Sequence, residues 1–493
     1  MAEPTHRRRM GVLAICCMSL LLVSLDTTIL NVALPAIRRE FDASVSGLQW
    51  TIDAYVLVLA SLLMLSGSTA DRIGRRRVFQ AGLVLFTAGS VLCSLAPSLG
   101  WLVAFRTVQA VGGSMLNPVA MSIITNTFTD PRERARAIGF WGGVIGISMA
   151  AGPLVGGLLV ETAGWRLVFL INLPVGLAAL VLTVLFVPES RAARARRTDP
   201  VGQLLVILVL GPLTFGIIEA PVLGWTSPVI VACLAVALCA LAVLPAYERR
   251  RDDPLIDPRF FRSAPFAGAA AIAVCGFAAL GGFLFVNTLY LQDVRGMTAL
   301  HAGLYLLPMA AMMLLLAPLS GRLVAARGPR PPLLAAGTAM TLGGGLSAVG
   351  GTGSPGSPDA LLLASFVLFG VGMGLLNAPV TNTAVSGMPV AQAGVAAGIA
   401  STSRQVGQVL GVAVVGSVIA AGVGGAAVAA GAGFTGAART AWWIITGCGA
   451  AVLVLGAATT GPWARGTAER AAALIGAEGG AAPSGGRTGS RTG

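Results

Sequence analysis

Apolar runs near the ~20 residues that a helix needs to cross a bilayer recur along this chain from about residue 11 to about residue 460. We place them at 11–31, 48–68, 79–97, 102–124, 138–160, 167–187, 201–220, 228–246, 266–290, 302–325, 332–350, 361–384, 402–424 and 439–460. Spans of that length and number predict an all-α polytopic membrane protein with 14 transmembrane helices. Residues 7–9 are arginines ahead of the first run, as in a secretory signal. That run is long for a signal core and holds Asp26 and Asn31, so it reads as a retained spanning helix.

An even number of spans puts both termini on one side, and the charges agree. All 33 basic residues are arginine. Segments 7–9, 72–77, 132–136, 191–197, 249–262 and 322–330, with Arg404 and the tail, fall on the side of the N-terminus. The opposite side holds Arg38, Arg39, Arg166, Arg295 and Arg439, and Arg106 lies inside a span. The positive-inside rule then makes both termini cytoplasmic. The longest cytoplasmic connection, "YERRRDDPLIDPRFFRSAPF", is too short for a domain and too mixed in sign for a purely polybasic patch, and is expected as interfacial helix or coil. The Gly/Ser/Pro-rich tail, 461–493, is expected to be disordered.

The +13 net charge does not imply nucleic-acid binding, because no stretch between the runs is long enough to form a basic module. Seven cysteines lie in or beside apolar runs without metal-type or CxxC spacing and read as packing residues. His6 and His301 are the only histidines. HExxH, GxSxG and Ser-x-x-Lys are absent, so neither a metal centre nor enzymatic catalysis is expected.

Polar groups inside spans are costly, and each needs a partner, water or an unusual protonation state. Asp26 lies mid-span in "LLVSLDTTILNVALP". Without a partner, burial disfavours its ionised form, letting it alternate between protonated and ionised as a cavity opens to each side. The other reading is a packing role through Thr27, Thr28 or a neighbour's backbone. Asp53 follows "LQWTI" near the outer end of helix 2, where it is expected to be hydrated, either as a helix-end charge or as a functional acid. Arg106 in "AFRTVQAVGGSML" is too deep to snorkel and must face a carboxylate or a polar cavity. Gln109 shares its face, and Asn117 lies further along the same path.

"SGSTADRIGRRRVF" (66–79) concentrates charge in a cytoplasmic turn. Its glycines allow a tight turn, while Asp71 can cap helix 3 and pair with basic residues of "TDPRERAR" (129–136). A cluster of this kind can form in one conformation and break in another; the alternative is that the arginines only set topology. The segment is echoed by "SGRLVAARGPRP" from 320, which matches at Gly67/Gly321, Gly74/Gly328 and Arg76/Arg330 and suggests two parallel halves. "WGGVIGISMAAGPLVGG" (141–157) permits close helix approach with a bend at Pro153, as ordinary packing or as an interface that rocks.

These motifs resemble the major facilitator superfamily, and within it the 14-helix drug:proton antiporters, over approximately residues 10–460. "LDTTILNVALP" is similar to that group's helix-1 signature. "GSTADRIGRRR" matches the superfamily's loop motif at Gly67, Asp71, Arg72, Gly74, Arg75 and Arg76. "RTVQAVGG" resembles its proton-relay motif at Arg106, Gln109 and Gly112, with Ala110 where the family usually has glycine. "GISMAAGPLVGG" resembles the antiporter motif at Gly146, Gly152, Pro153, Gly156 and Gly157, and "GWRLVFLINLP" also looks like this group. The resemblance implies a major facilitator fold: an N-terminal six-helix bundle (11–187) after a cytoplasmic start (1–10), two additional helices (201–246) and a C-terminal six-helix bundle (266–460). It implies export of hydrophobic, possibly cationic, drugs or antibiotics across a bacterial plasma membrane. The proton gradient would drive it without a cofactor, and it would act as a monomer among membrane lipids. Proton-coupled uptake of a small metabolite, or a non-transporting receptor or scaffold, are the rival readings.

Overall fold

The computed structural model describes residues 6–192, 199–251, 254–350, 354, 356–386, 388, 393–423 and 432–479. Their regular structure is helical. The first helices are α1 (His6–Phe41), α2 (Val45–Ile73), α3 (Arg75–Ser94), α4 (Leu99–Thr127) and α5 (Pro131–Ala163). A single turn, α6 (Leu167–Leu170), leads into α7 (Asn172–Phe186), and α8 (Pro200–Leu223) and α9 (Pro228–Glu248) follow. The remainder is α10 (Ala264–Leu289), α11 (Ala299–Arg327), α12 (Arg330–Val349), α13 (Asp359–Val385), α14 (Ala393–Val423), α15 (Ala432–Thr459) and α16 (Pro462–Gly479).

The helices start where short polar side chains take up free amides. Ser44 accepts from Gly47 N, Asp130 from Arg132 N and Glu133 N, Asp199 from Gly202 N, and Thr298 from His301 N. Pro131 and Pro200 follow two of these caps, at the position where a missing N–H costs nothing. Thirteen of the described helices are long and apolar enough to cross a membrane. α4, with 29 residues, has the length, but Arg106, Gln109 and Asn117 lower its hydropathy below the others.

The chain runs up and down between two ends. We call the end where α1 begins the near end and the other the far end. α1 packs on α4, α5 and α7, with α3 against α4 and α7, and α2 against α4. In the second part α10 packs on α13, α14 and α15, α12 on α13 and α15, and α11 on α13. Phe283 stacks on Phe369 at 4.2 Å between centroids and meets Phe366 and Trp442 edge-on. Close packing carries such a core in lipid, where removal from water does not drive helix association. The two sets meet along α2–α14 and α5–α11.

Polar ties between the sets collect at the far end. Gln49 Nε2 donates to Val412 O (3.1 Å) and Ala413 O (2.9 Å). Gln292 Nε2 donates to Val32 O (2.9 Å), and Arg38 pairs with Asp293 at 3.2 Å. α8 lies against both α2 and α14, with α9 on its outer side. Gln203 of α8 bonds the Ser61 carbonyl of α2, Trp50 Nε1 donates to Glu219 (2.7 Å), and Ser417 Oγ donates to Ile217 O (2.7 Å).

The echoed segments occupy equivalent corners. Gly74 separates α2 from α3 with φ +129°, and Gly328 separates α11 from α12 with φ +78°. Such angles suit glycine because it lacks a Cβ. The connection after α9 forms a 3₁₀ turn over Pro258–Arg262. The tail is not disordered from residue 461: Pro462–Gly479 forms α16, whose Ala464, Ala468 and Ala471 are buried. Thr467 Oγ1 there accepts from Ala264 N at 2.9 Å. Alanine-rich sequence favours this helix; residues 480–493 lie outside the described residues.

Candidate functional site

Asp26, Arg106 and Gln109 converge in the interior of the N-terminal set, each 1% exposed or less. Arg106 Nη1 donates to Asp26 Oδ2 at 2.5 Å and to Gln109 Oε1 at 2.8 Å, and its Nε donates to Thr51 O at 3.2 Å. Gln109 Nε2 donates to Asp26 Oδ1 at 2.8 Å, and Asn172 Nδ2 donates to the same oxygen at 3.2 Å. Ser90 Oγ accepts from both amides and donates to Phe169 O. The guanidinium lies 4.1 Å from the Tyr55 ring centroid and 5.7 Å from that of Phe169.

The helix period explains the convergence. Arg106 and Gln109, three residues apart on α4, share one face and point at the mid-span carboxylate of α1. Burying two charges is tolerable only where geometry and further hydrogen bonds offset the desolvation cost, and here both carboxylate oxygens are occupied. Asp26 is thus held by α4 and α7 rather than by Thr27 or Thr28. Those hydroxyls bond carbonyls of their own helix, Thr28 also reaching Ser148 O on α5.

The other candidates lie apart from this network. Asn31 is buried and donates to Thr27 O of its own helix. Asn117 is half-buried, and among the described residues its Oδ1 has no partner; eleven residues beyond Arg106, it sits roughly 16 Å along the helix. The expected hydration of Asp53 is corrected: the residue is 0% exposed, and among the described residues neither carboxylate oxygen has a hydrogen-bond partner. Because α2 already begins at Val45, Asp53 lies more than two turns inside it.

The charged corner at 66–79 is also wired differently from expectation. Asp71 does not reach 129–136. It binds Arg75 across Gly74, at 2.9 Å to Nη2 and 3.1 Å to Nε. The segment after α7 closes the corner: Arg75 N donates to Ser190 O, Ala192 N to Asp71 O, Arg76 N to Glu189 Oε1, and Arg76 Nη2 to Val184 O. A Cβ at Gly74 would lie 2.6 Å from Glu189 Oε1. Arg72 is exposed in the last turn of α2, while Gly67 faces Pro118 at ordinary contact distance. Glu133 of the 129–136 segment pairs instead with Arg9 at 2.7 Å. α3 begins at Arg75, after Gly74, without a side-chain cap.

The α5 glycines face two partners. A Cβ at Gly152 would meet Thr28, and one at Gly156 would meet Ile29, both on α1. Gly157 is pressed on Ala299 O of α11, Gly303 of α11 on Pro153 O, and Gly146 on Leu314. The same stripe therefore packs within one set and forms its far-end contact with the other.

Sequence reasoning passed over Asn172, Ser90, Thr51 and Tyr55 as members of the site. Asn172 was the one detectable in advance, as a lone amide inside an apolar run. Thr51 contributes a backbone carbonyl, which no side-chain pattern reveals.

Comparison with known proteins bears on this geometry. A family model described as the Major Facilitator Superfamily matches residues 16–412. The chain is 39% identical over 398 residues to the "Multidrug resistance protein Stp" of Mycobacterium tuberculosis, covering 81% of this chain and 73% of that one. It is 38% identical over 399 residues to the "Tetracenomycin C resistance and export protein" of Streptomyces glaucescens, covering 80% and 73%. Among solved structures, a D-xylose-proton symporter superposes with TM-score 0.65 at 16% identity, covering 90% of this chain and 97% of that one.

Proposed function

Because this chain belongs to the Major Facilitator Superfamily, we propose that it is a proton-coupled antiporter that exports hydrophobic drugs or antibiotics, cationic ones among them, across a bacterial plasma membrane. The names of its relatives support export of such compounds. In this reading α4 is the fourteenth span, both termini are cytoplasmic, and α1–α7 and α10–α15 are two six-helix bundles that rock about a central cavity. α8 and α9 are the additional pair, the monomer is the working unit, and the proton gradient takes the place of a cofactor.

The observation that carries the coupling is the contrast between two buried acids. Asp26 receives three donors from Arg106, Gln109 and Asn172, an arrangement suited to a carboxylate ion. Asp53 is equally buried, and among the described residues neither of its oxygens has a donor. We read Asp53 as the acid that exchanges the transported proton and Asp26 as the ion-pair partner of a fixed cation. Protonation from outside, at Asp26 or Asp53, changes the charge facing the cavity and releases substrate. Loss of that proton inside restores the acid for the next molecule, so each state favours one ligand through differential affinity. The α5 stripe, through Gly157 on Ala299 and Pro153 on Gly303, supplies the surface that parts and rejoins.

The test is proteoliposomes with an internal pH indicator, an imposed proton gradient and a panel of lipophilic cations and neutral antibiotics, comparing wild type with Asp26→Asn, Asp53→Asn and Arg106→Ala. Compound-dependent proton flux opposite in direction to compound movement, lost in the variants, supports antiport. Flux in the same direction establishes uptake symport instead. Silence with every compound points to a receptor or scaffold.

A further inference from the structure

On the near half of the molecule, a cavity of about 170 Å³ lies where α2, α8, α9 and α14 meet the 254–262 connection. Met64, Val206, Leu244, Ile256, Phe261 and Ile399 line it, and its few polar atoms come from Thr402 and Ser403 of α14. Ser403 Oγ is already bonded to Ile399 O. The cavity is therefore apolar, and Phe261 on its wall is 47% exposed, so it opens to the outside of the helix assembly.

Its rim is charged. Arg249, Arg250 and Arg262 are exposed at the near end, and among the described residues none of them forms an ion pair. Among the described residues, the acids around this connection are engaged. Asp257 is taken by Arg259, Asp199 by Tyr247 and Arg251, and Glu248 is 1% exposed with Oε2 accepting from Leu255 N. Asp252 and Asp253 lie outside the described residues. Val206 follows the start of α8 by six residues and Ile399 that of α14 by six, so the wall begins roughly 9 Å below the helix ends. An acyl chain would hang to that depth beneath a headgroup held at the end of the helices.

We propose that this cavity is a phospholipid site: one acyl chain fills it, and Arg249, Arg250 and Arg262 select an anionic headgroup. Basic side chains near a membrane surface favour anionic lipid, and the same arginines oppose a lipophilic cation at the mouth. The occupied site wedges between α8–α9 and α14 beside the α2–α14 seam, away from the Asp26 network.

The experiment uses the full-length protein in nanodiscs of phosphatidylcholine with and without phosphatidylglycerol, reading retained lipid by native mass spectrometry. Wild type should retain one phosphatidylglycerol in preference to phosphatidylcholine, by roughly fivefold for each arginine that reaches the headgroup. Val206→Trp, which fills the cavity, should lose retained lipid of either kind. Arg249→Gln/Arg250→Gln/Arg262→Gln, confined to exposed positions that leave folding intact, should keep a lipid and lose the preference. Equal retention of both lipids by wild type, or an unchanged preference in the arginine variant, overturns the proposal. Displacement of the retained lipid by a labelled lipophilic cation also overturns it, by assigning the cavity to transported compounds.

Discussion

Replacing Gln49 by Leu is expected to loosen the far-end closure in a measurable way. Its side-chain amide is 0% exposed and donates to two carbonyls of α14, at 3.1 and 2.9 Å. A hydrogen bond of this kind contributes about 0.5–1.5 kcal/mol net. Val412 O and Ala413 O keep their places in the α14 ladder, so the substitution strands no obligatory acceptor. Two lost bonds then remove about 1–3 kcal/mol from the far-end-closed state, a shift of roughly 5–150-fold in its population ratio. Spin labels on the exposed Asp42, in the α1–α2 turn, and His301, near the start of α11, report that ratio by double electron–electron resonance. The long-distance component should grow at the expense of the short one, with thermal stability little changed. An unchanged distribution in a properly folded variant would refute the reasoning and leave Gln49 as a packing residue. Arg38→Gln, which removes the part-buried tie to Asp293, should shift the same distribution in the same direction.

Three further outcomes follow from the same structure. Arg106→Ala should lower thermal stability strongly, by about 3–5 kcal/mol, because it leaves Asp26 charged and buried; Asp26→Asn in the same chain should recover much of that loss, and additive losses in the double variant would contradict the pairing. Gly303→Val should abolish far-end closure and transport, since a Cβ there would stand 2.3 Å from Pro153 O; cross-linking across α5 and α11 checks it, and wild-type efficiency would show the contact to be slack. Gly74→Ala should cost about 1–3 kcal/mol through its φ of +129° and its Cβ contact with Glu189; Glu189→Ala relieves the contact but not the angle, so a full rescue measured by thermal melting would rule out the backbone contribution.

Which parts of the molecule could be read beforehand depends on the physics of each residue. Asp26, Arg106 and Gln109 were legible because a polar group in lipid demands a partner, and α4 provides two at helical spacing. The depth of Asp53 was not, because the apolar run begins at 48 whereas Ser44 caps a helix starting at Val45, which carries the acid inward. The partner of the Gly74 corner was misjudged for a different reason. Several near-end segments carry complementary charge, and only the path of the chain after α7 brings Glu189 and Ser190 to it. α4 shows the limit of hydropathy itself: the polar side chains that build the site are what make the helix look less like a span. In the tail, the glycine and serine content beyond residue 480 hid an alanine-rich turn-by-turn pattern just before it.

The bonds of α8 carry a mechanical consequence. Gln203 and Glu219 fasten this helix to α2 at two heights, whereas a single hydroxyl, that of Ser417, holds α14 to it. For α14 to move one turn along α8, Ser417 Oγ would exchange Ile217 O for the carbonyl one turn away. Successive carbonyls on one face of a helix are about 5.4 Å apart, so the travel is divided into steps like the teeth of a ratchet wheel. α8 and α9 are then no detachable ornament: excising them would remove the stops that meter the motion and leave the Trp50 indole N–H facing hydrocarbon.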